Sequence, residues 1–198
     1  MRVVAGQAKG KRLRAPRGTE ARYTSDFVRE ALFNILAPQM PDARFLDLFA
    51  GVGSVGLEAA SRGAPEVVLI EKDPVRVSYL ARNAREAGLS QSCRVYRQDV
   101  FVAVDILRRR GAQFEIIFLD PPYSNELAPV ALSRVAAAGL VAPGGLLVVE
   151  HSRREAMPDA APPLVLARRE QYGDTALSFY SLPQGADDHA QSDLPRHL

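Results

Sequence analysis

The chain has 198 residues, 47% of them hydrophobic and 24% charged, with a formal net charge of +2 at pH 7. That is the composition of one soluble globular domain long enough to bury a core. A lone Cys93 excludes a disulfide framework and a cysteine-cluster metal site and suits a reducing cytoplasm; no apolar run reaches membrane-spanning length and no apolar signal region opens the chain, so neither a membrane nor export is indicated.

The charge is unevenly placed. Residues 1–30 carry eight Lys or Arg against three Asp or Glu, a net of +5, which leaves −3 for the remainder. A basic arm on a mildly acidic body predicts a polyanionic partner or a solvated tail. Within it, "RVVA" (2–5) and "KRLRA" (11–15) flank the turn-rich "GQAKG", the pattern of a small basic hairpin. A Pro/Gly break at "PRGTE" follows. "SDFVREALFNILA" then spaces Phe27, Ala31, Leu32, Ile35 and Leu36 as one helical face, and Pro38 ends that helix.

Beyond it the chain alternates. Strands are predicted at 44–49, 66–71, 93–99, 114–120 and 145–150, with helices near 54–62, 75–87, 101–110 and 126–139. This implies βαβ units, right-handed crossovers and a parallel sheet covered on both faces. "LVLARREQYGDTALSFYSL" reads as two strands around a Gly-Asp turn, a closing hairpin with an antiparallel strand, bringing the sheet to seven strands. The expected layout is a basic hairpin over 1–20, an α/β domain over 21–183 and a polar, disordered tail over 184–198.

The first strand runs into "DLFAGVGSVGLE", in which Gly51, Gly53 and Gly56 open a helix. Glycines let the backbone turn tightly and approach a ligand, and the helix N-terminus offers free N–H groups. Three successive strands also end in or carry an acid: Asp47, Glu71 and Asp99. Carboxylates gathered where open α/β sheets bind ligands predict a nucleoside-type cofactor. Glu71 would accept hydrogen bonds from a ribose diol. The glycine spacing would equally suit a dinucleotide, but Asp47 beside the loop would repel a pyrophosphate and favours a ligand with an ammonium and a sulfonium. Asp99 suits an adenine amine. The preferred ligand is S-adenosylmethionine.

The fourth strand, "FEIIFLD", ends in "DPPY", Asp120–Tyr123. Asp-Pro-Pro is also ordinary turn chemistry. Beside a methyl-donor pocket it fits one task. A nucleobase amine is a poor nucleophile because its lone pair is delocalised into the ring. Two acceptors aimed at its hydrogens, the Asp120 carboxylate and the Pro121 carbonyl, would turn that lone pair toward the methyl group. Proline fixes the second acceptor. Tyr123 would stack on the extruded base.

"DLFAGVGSVGLE", "EKD" (71–73), "DPPY" and "ARYTSDFVREALFN" (21–34) together resemble the RsmD family. These are bacterial S-adenosylmethionine-dependent methyltransferases of a guanine N2 in 16S rRNA. The similarity spans residues 1–182 and implies a Rossmann-like class I methyltransferase fold. By this resemblance Asp47, Gly51 and Gly53 line the methionine side of the cofactor with Phe49 nearby. Glu71, with Lys72 beside it, holds the ribose, and Asp99 with the Val100 backbone contacts adenine. Asp120, Pro121, Pro122 and Tyr123 form the amine site. Thr24, Arg22 and Arg29 belong to an element that closes over the methionine end and meets RNA. Arg2, Lys9, Lys11 and Arg12 are the expected phosphate contacts of the arm. Tyr23 stands where the family has proline, and Phe27 where it has arginine.

The implied partner is 16S rRNA or a small-subunit particle, met by a cytoplasmic monomer with no metal. His151, His189 and His197 have neither metal-ligand nor triad spacing and read as structural or solvated, and "RRR" (108–110) reads as a helix C-terminal cap. An adenine-N6 DNA methyltransferase would use the same tetrapeptide, but the chain is short for a separate target-recognition domain. A non-catalytic nucleotide- or RNA-binding module would not require Asp120 with both prolines.

Overall fold

The computed structural model describes residues 1–16, 24–122 and 127–183. Tyr123, Arg22, Tyr23 and the tail from 184 onward lie outside the described residues, so the expectations placed on them are not addressed by it.

Helix α1 (Asp26–Leu36) starts where the Ser25 hydroxyl accepts the Val28 amide at 3.2 Å, and it stops two residues before Pro38. Then come strand β1 (Arg44–Leu48), helix α2 (Gly56–Ser61), β2 (Glu66–Glu71), α3 (Pro74–Glu86), β3 (Cys93–Arg97), α4 (Val100–Arg109), β4 (Phe114–Leu119) and α5 (Leu127–Ala137). The chain closes with β5 (Val141–Ser152), a two-residue β6 (Ala160–Ala161), β7 (Leu164–Tyr172) and β8 (Thr175–Ser181). Asp73 and Asp99 each cap the helix they precede, with Pro74 at the first position of α3.

The strands form one sheet in the order β3-β2-β1-β4-β5-β8-β7-β6. The first five are parallel, and β8 inserts antiparallel between β5 and β7. Among the described residues eight strands replace the expected seven, because β6 adds a short edge to β7. β7 and β8 turn through Gly173 and Asp174, as the Gly-Asp pair predicts; Gly173 has φ +63°.

Alternation along the strands builds two cores. Phe45, Val67, Leu69, Ile116, Phe118 and Val148 meet α1, α2 and α3 on one face. Leu46, Leu48, Val68, Ile117, Leu119 and Val149 meet α4 and α5 on the other. The connections change face between β1 and β4, so the crevice at their carboxyl ends is the topological switch point, where open α/β sheets bind ligands.

Two expectations change. α1 buries Val28, Leu32, Phe33 and Leu36 rather than a stripe led by Phe27. Phe27 is 69% exposed and meets Tyr172 edge-on, ring centroids 5.8 Å apart. In the N-terminal segment the two arms meet at an antiparallel bridge, Arg2 to Arg12, too short to count as strands. Val3 N–H donates to the Lys11 carbonyl at 2.9 Å and Leu13 N–H to the Met1 carbonyl at 3.2 Å, while α2 takes other donors of the segment: Val4 and Ala5 N–H donate to Glu58 at 2.7 and 2.9 Å, and Ala8 N–H to the Ser61 hydroxyl at 2.9 Å. Val3, Ala8 and Leu13 join the core on the α2 side, so this segment is packed down rather than projecting.

Candidate active site

Period-two alternation settles where the acids go. Asp47 shares a face with Phe45, Glu71 with Val67 and Leu69, Asp120 with Ile116 and Phe118, and Glu150 with Val148. All four carboxylates therefore gather at the carboxyl ends of β2, β1, β4 and β5, on the side covered by α1 and α2. Glu150 is 4% exposed and accepts the Thr24 hydroxyl at 2.7 Å. Sequence reasoning passed over it, although "GLLVVE" carries the same signal as "FEIIFLD", an apolar run ending in an acid.

The glycine loop is built around two of these acids. Asp47 accepts the Gly56 N–H at 2.8 Å; a Cβ on Gly56 would lie 2.9 Å from its Oδ2 and 2.6 Å from Leu69, so only glycine allows this approach. Glu71 accepts the Gly51 N–H at 2.9 Å and the Asp73 N–H at 2.8 Å, which fixes the loop against the end of β2. Gly53 takes φ +90°, and a Cβ there would meet Leu80 at 2.3 Å. Phe49 has φ +68°, an unusual conformation for a side chain of its size, at the point where β1 turns into the loop.

The electrostatics follow from burial. Asp47 is pushed up to about 7, first by loss of water and further by Glu71, against the opposing Gly56 hydrogen bond. Burial, then Glu150 and Asp47, holds Asp120 well above the usual carboxylate range. Neither Asp47 nor Asp120 forms an ion pair among the described residues. A crevice that concentrates buried acids in this way is matched by a ligand that brings positive charge. An ammonium and a sulfonium fit that requirement, and a pyrophosphate does not. Glu71 keeps acceptor lone pairs beyond its two backbone bonds, enough for a diol. The residues thus fit the S-adenosylmethionine that the resemblance implies.

The remaining expected residues divide. Asp99 uses Oδ1 to accept the Phe101 and Val102 amides at 2.9 and 3.4 Å, and Val100 begins α4 beside it. Lys72 is exposed between Glu71 and Asp73. Asp120 follows β4, with Pro121 buried and Pro122 exposed behind it. Thr24 is buried at the rim, committed to Glu150. Arg2, Lys9, Lys11 and Arg12 are exposed, and Arg2, Lys11, Arg12 and Arg14 line an open groove of ≈ 840 Å³.

Arg29 is the exception. Its side chain has no exposed surface, donates to the Arg2 carbonyl at 2.6 Å and to Asp26 at 2.9 Å, and lies 3.7 Å from Glu58. It ties the N-terminal segment to α1 and α2, with its guanidinium enclosed rather than presented on the surface. His151 bonds the Ser152 carbonyl and the Ser178 hydroxyl, burial lowers its basicity, and burial raises the Cys93 thiol to about 11, so both are structural.

The chain matches the family described as Conserved hypothetical protein 95 over residues 1–181. It is 36% identical over 180 residues to the putative rRNA methyltransferase YlbH of Bacillus subtilis, covering 91% of this chain and 98% of that protein. It is 35% identical over 191 residues to ribosomal RNA small subunit methyltransferase D of Escherichia coli K12, covering 95% and 93%. The structure of a hypothetical protein from Thermus thermophilus superimposes with a TM-score of 0.80 at 39% identity, covering 90% of this chain and 98% of that one. A family match across nearly the whole chain, joined to relatives of this identity and coverage, shows that the chain belongs to the RsmD family.

Proposed function

We propose that the protein transfers a methyl group from S-adenosylmethionine to the exocyclic N2 amine of a guanine in 16S rRNA, as a cytoplasmic monomer acting on rRNA or a small-subunit particle. The observation that carries the reading is Asp120, a partly buried carboxylate on the tip of β4 with Pro121 behind it, beside an acid-lined glycine loop. The bound cofactor supplies the electrophilic methyl group.

The chain's own residues prepare the amine. Asp120 accepts one N–H and the Pro121 carbonyl the other, so the nitrogen lone pair is freed from the ring and aimed. Proline's fixed φ holds the second acceptor in place before the substrate arrives, and most of the rate comes from that positioning. A carboxylate whose surroundings favour protonation is also suited to take the proton the nitrogen loses. Glu71 orients the ribose and Asp47 the ammonium end. The exposed cations of the N-terminal segment supply phosphate contacts that position RNA without reading its sequence.

The test is methyl transfer from radiolabelled S-adenosylmethionine to isolated small subunits, free 16S rRNA and duplex DNA, with the modified nucleotide mapped. Label on a guanine N2 of 16S rRNA supports the reading. Label on a DNA adenine N6, or no label on any of them, overturns it.

A further inference from the structure

Phe27 is the second residue of α1 and 69% exposed, and its ring meets Tyr172 edge-on at an interplanar angle of 81°. A lone exposed phenylalanine is ordinary on a protein surface. This one is buttressed, because Tyr172 is half-buried and packs against the core on the α1 side. The phenyl ring therefore has a fixed support and an open surface. Strand register locates the pair: Thr175 on β8 pairs with both Ser152 at the end of β5 and Tyr172 at the end of β7. Tyr172 thus stands at the end of the sheet where the parallel strands β4 and β5 finish and where Asp120 follows β4. The Thr24 hydroxyl, three residues before Phe27, reaches β5 at that same end. β7 is three strands from β4, roughly 15 Å at ordinary strand spacing. At that separation the pair does not serve the base held by Asp120; it suits a neighbouring base on the same strand. The charged surroundings agree. Asp26 and Glu30 on α1 and Arg153, Arg154 and Asp174 at the sheet end are all exposed, and Arg153 pairs with Asp174 at 3.2 Å. A flat apolar ring among charges matches a polar ligand with a flat face rather than an apolar protein surface.

We infer that Phe27, supported by Tyr172, is a stacking platform for an unpaired base beside the target nucleotide, so that the RNA is bound here single-stranded or splayed. The inference rests on the rRNA-methylation reading of the site. Every base has a π-face, so stacking holds the strand in place without reading its sequence, while Asp120 selects the amine. Glu30, one turn after Phe27 on α1, repels phosphates, which directs the backbone of that nucleotide toward Arg154.

The chain contains no tryptophan, so Phe27→Trp places one indole fluorophore on the platform. Its emission is titrated with a single-stranded RNA oligonucleotide and with inorganic polyphosphate, which carries charge but no base. RNA is expected to quench the emission and polyphosphate to leave it unchanged. No quenching by RNA, or equal quenching by both, overturns the inference. Methyl transfer to small-subunit particles is then measured for the wild type, Phe27→Ala and Phe27→Leu. Both variants should need about 5- to 100-fold more particle for half-maximal rate, with a smaller effect on the saturated rate. Their slope of log affinity on log salt should match the wild type, because a lost stack releases no counterions. Thermal midpoints and S-adenosylhomocysteine affinity, followed alongside, should hold. Wild-type particle binding by Phe27→Ala overturns the inference. So does wild-type binding by Phe27→Leu alone, which would report an apolar contact with a protein or a second copy of this chain. A wild type that transfers no methyl to any particle overturns the functional reading, and the tryptophan titration still decides the platform.

Discussion

Asn83 donates through Nδ2 to the carbonyl of Val52 at 3.0 Å, joining the last turn of α3 to the turn between Gly51 and Gly53. The same amide group donates to the Arg14 carbonyl at 3.0 Å and accepts the Arg14 N–H at 2.8 Å. One buried side chain thus ties the cofactor loop to the basic N-terminal segment, across the 69 positions of sequence that separate Arg14 from Asn83.

Asn83→Ala removes three hydrogen bonds and leaves buried backbone groups unpaired. The expected loss is about 2–4 kcal/mol of stability, read from urea unfolding, with weaker binding of S-adenosylhomocysteine by calorimetry. Unchanged cofactor affinity would mean that Val52 is held without Asn83.

Asp47 carries a pH signature. Its folded value, about 7, lies above its ordinary 3.8, so the fold favours the protonated form. Its contribution to stability is therefore full below about pH 4 and is lost as pH rises through 7. Asp47→Asn cannot ionise but still accepts the Gly56 N–H. In the cofactor-free protein the variant should be more stable than wild type at pH 8 and about equal at pH 4, by urea midpoints. The same change should weaken cofactor binding at pH 8 tenfold or more, because the ligand's positive charge loses its counterion. A variant less stable than wild type at pH 8 would contradict this account.

Asp120→Ala should lower methyl transfer by a factor of about 10² to 10³, while S-adenosylhomocysteine affinity holds within about threefold. Rate constants from single turnover and calorimetric affinities separate the two. Equal losses of both would place Asp120 in cofactor binding rather than at the amine.

Replacing Lys9, Lys11 and Arg12 with alanine should weaken RNA binding and flatten its salt dependence. The slope of log affinity on log salt falls by about 0.7 for each single-strand phosphate no longer neutralised, or about 2 for all three. A slope equal to wild type would remove these side chains from the interface.

Much of the fold was legible because it rests on local patterns. Apolar runs of five or six residues alternating with amphipathic stretches located β1 to β4 and their helices to within a few residues. The Gly-Asp pair at 173–174 located the last hairpin. The acids Asp47, Glu71 and Asp120 were visible because a carboxylate in or at the end of an apolar run is costly without a use, and Asp99 because it closes the next strand in the series.

What the sequence could not carry was the competition for partners between distant segments. "RVVA" and "KRLRA" look like a projecting basic arm, but the Glu58 and Ser61 side chains on α2 take the Val4, Ala5 and Ala8 amides and hold the segment down, a choice made across more than 50 residues. Arg29 looks like a phosphate contact until the carbonyl of Arg2 and the carboxylate of Asp26 enclose it. Phe27 looks like core until the helix rotates to bury Val28 and Phe33. Glu150 becomes notable only when strand register puts it beside Asp120 and Thr24 reaches it across 126 residues. Strand ends and the chemistry of single motifs are local properties, which a sequence records directly. Which buried groups meet depends on sheet order and register, and only the packed chain determines those.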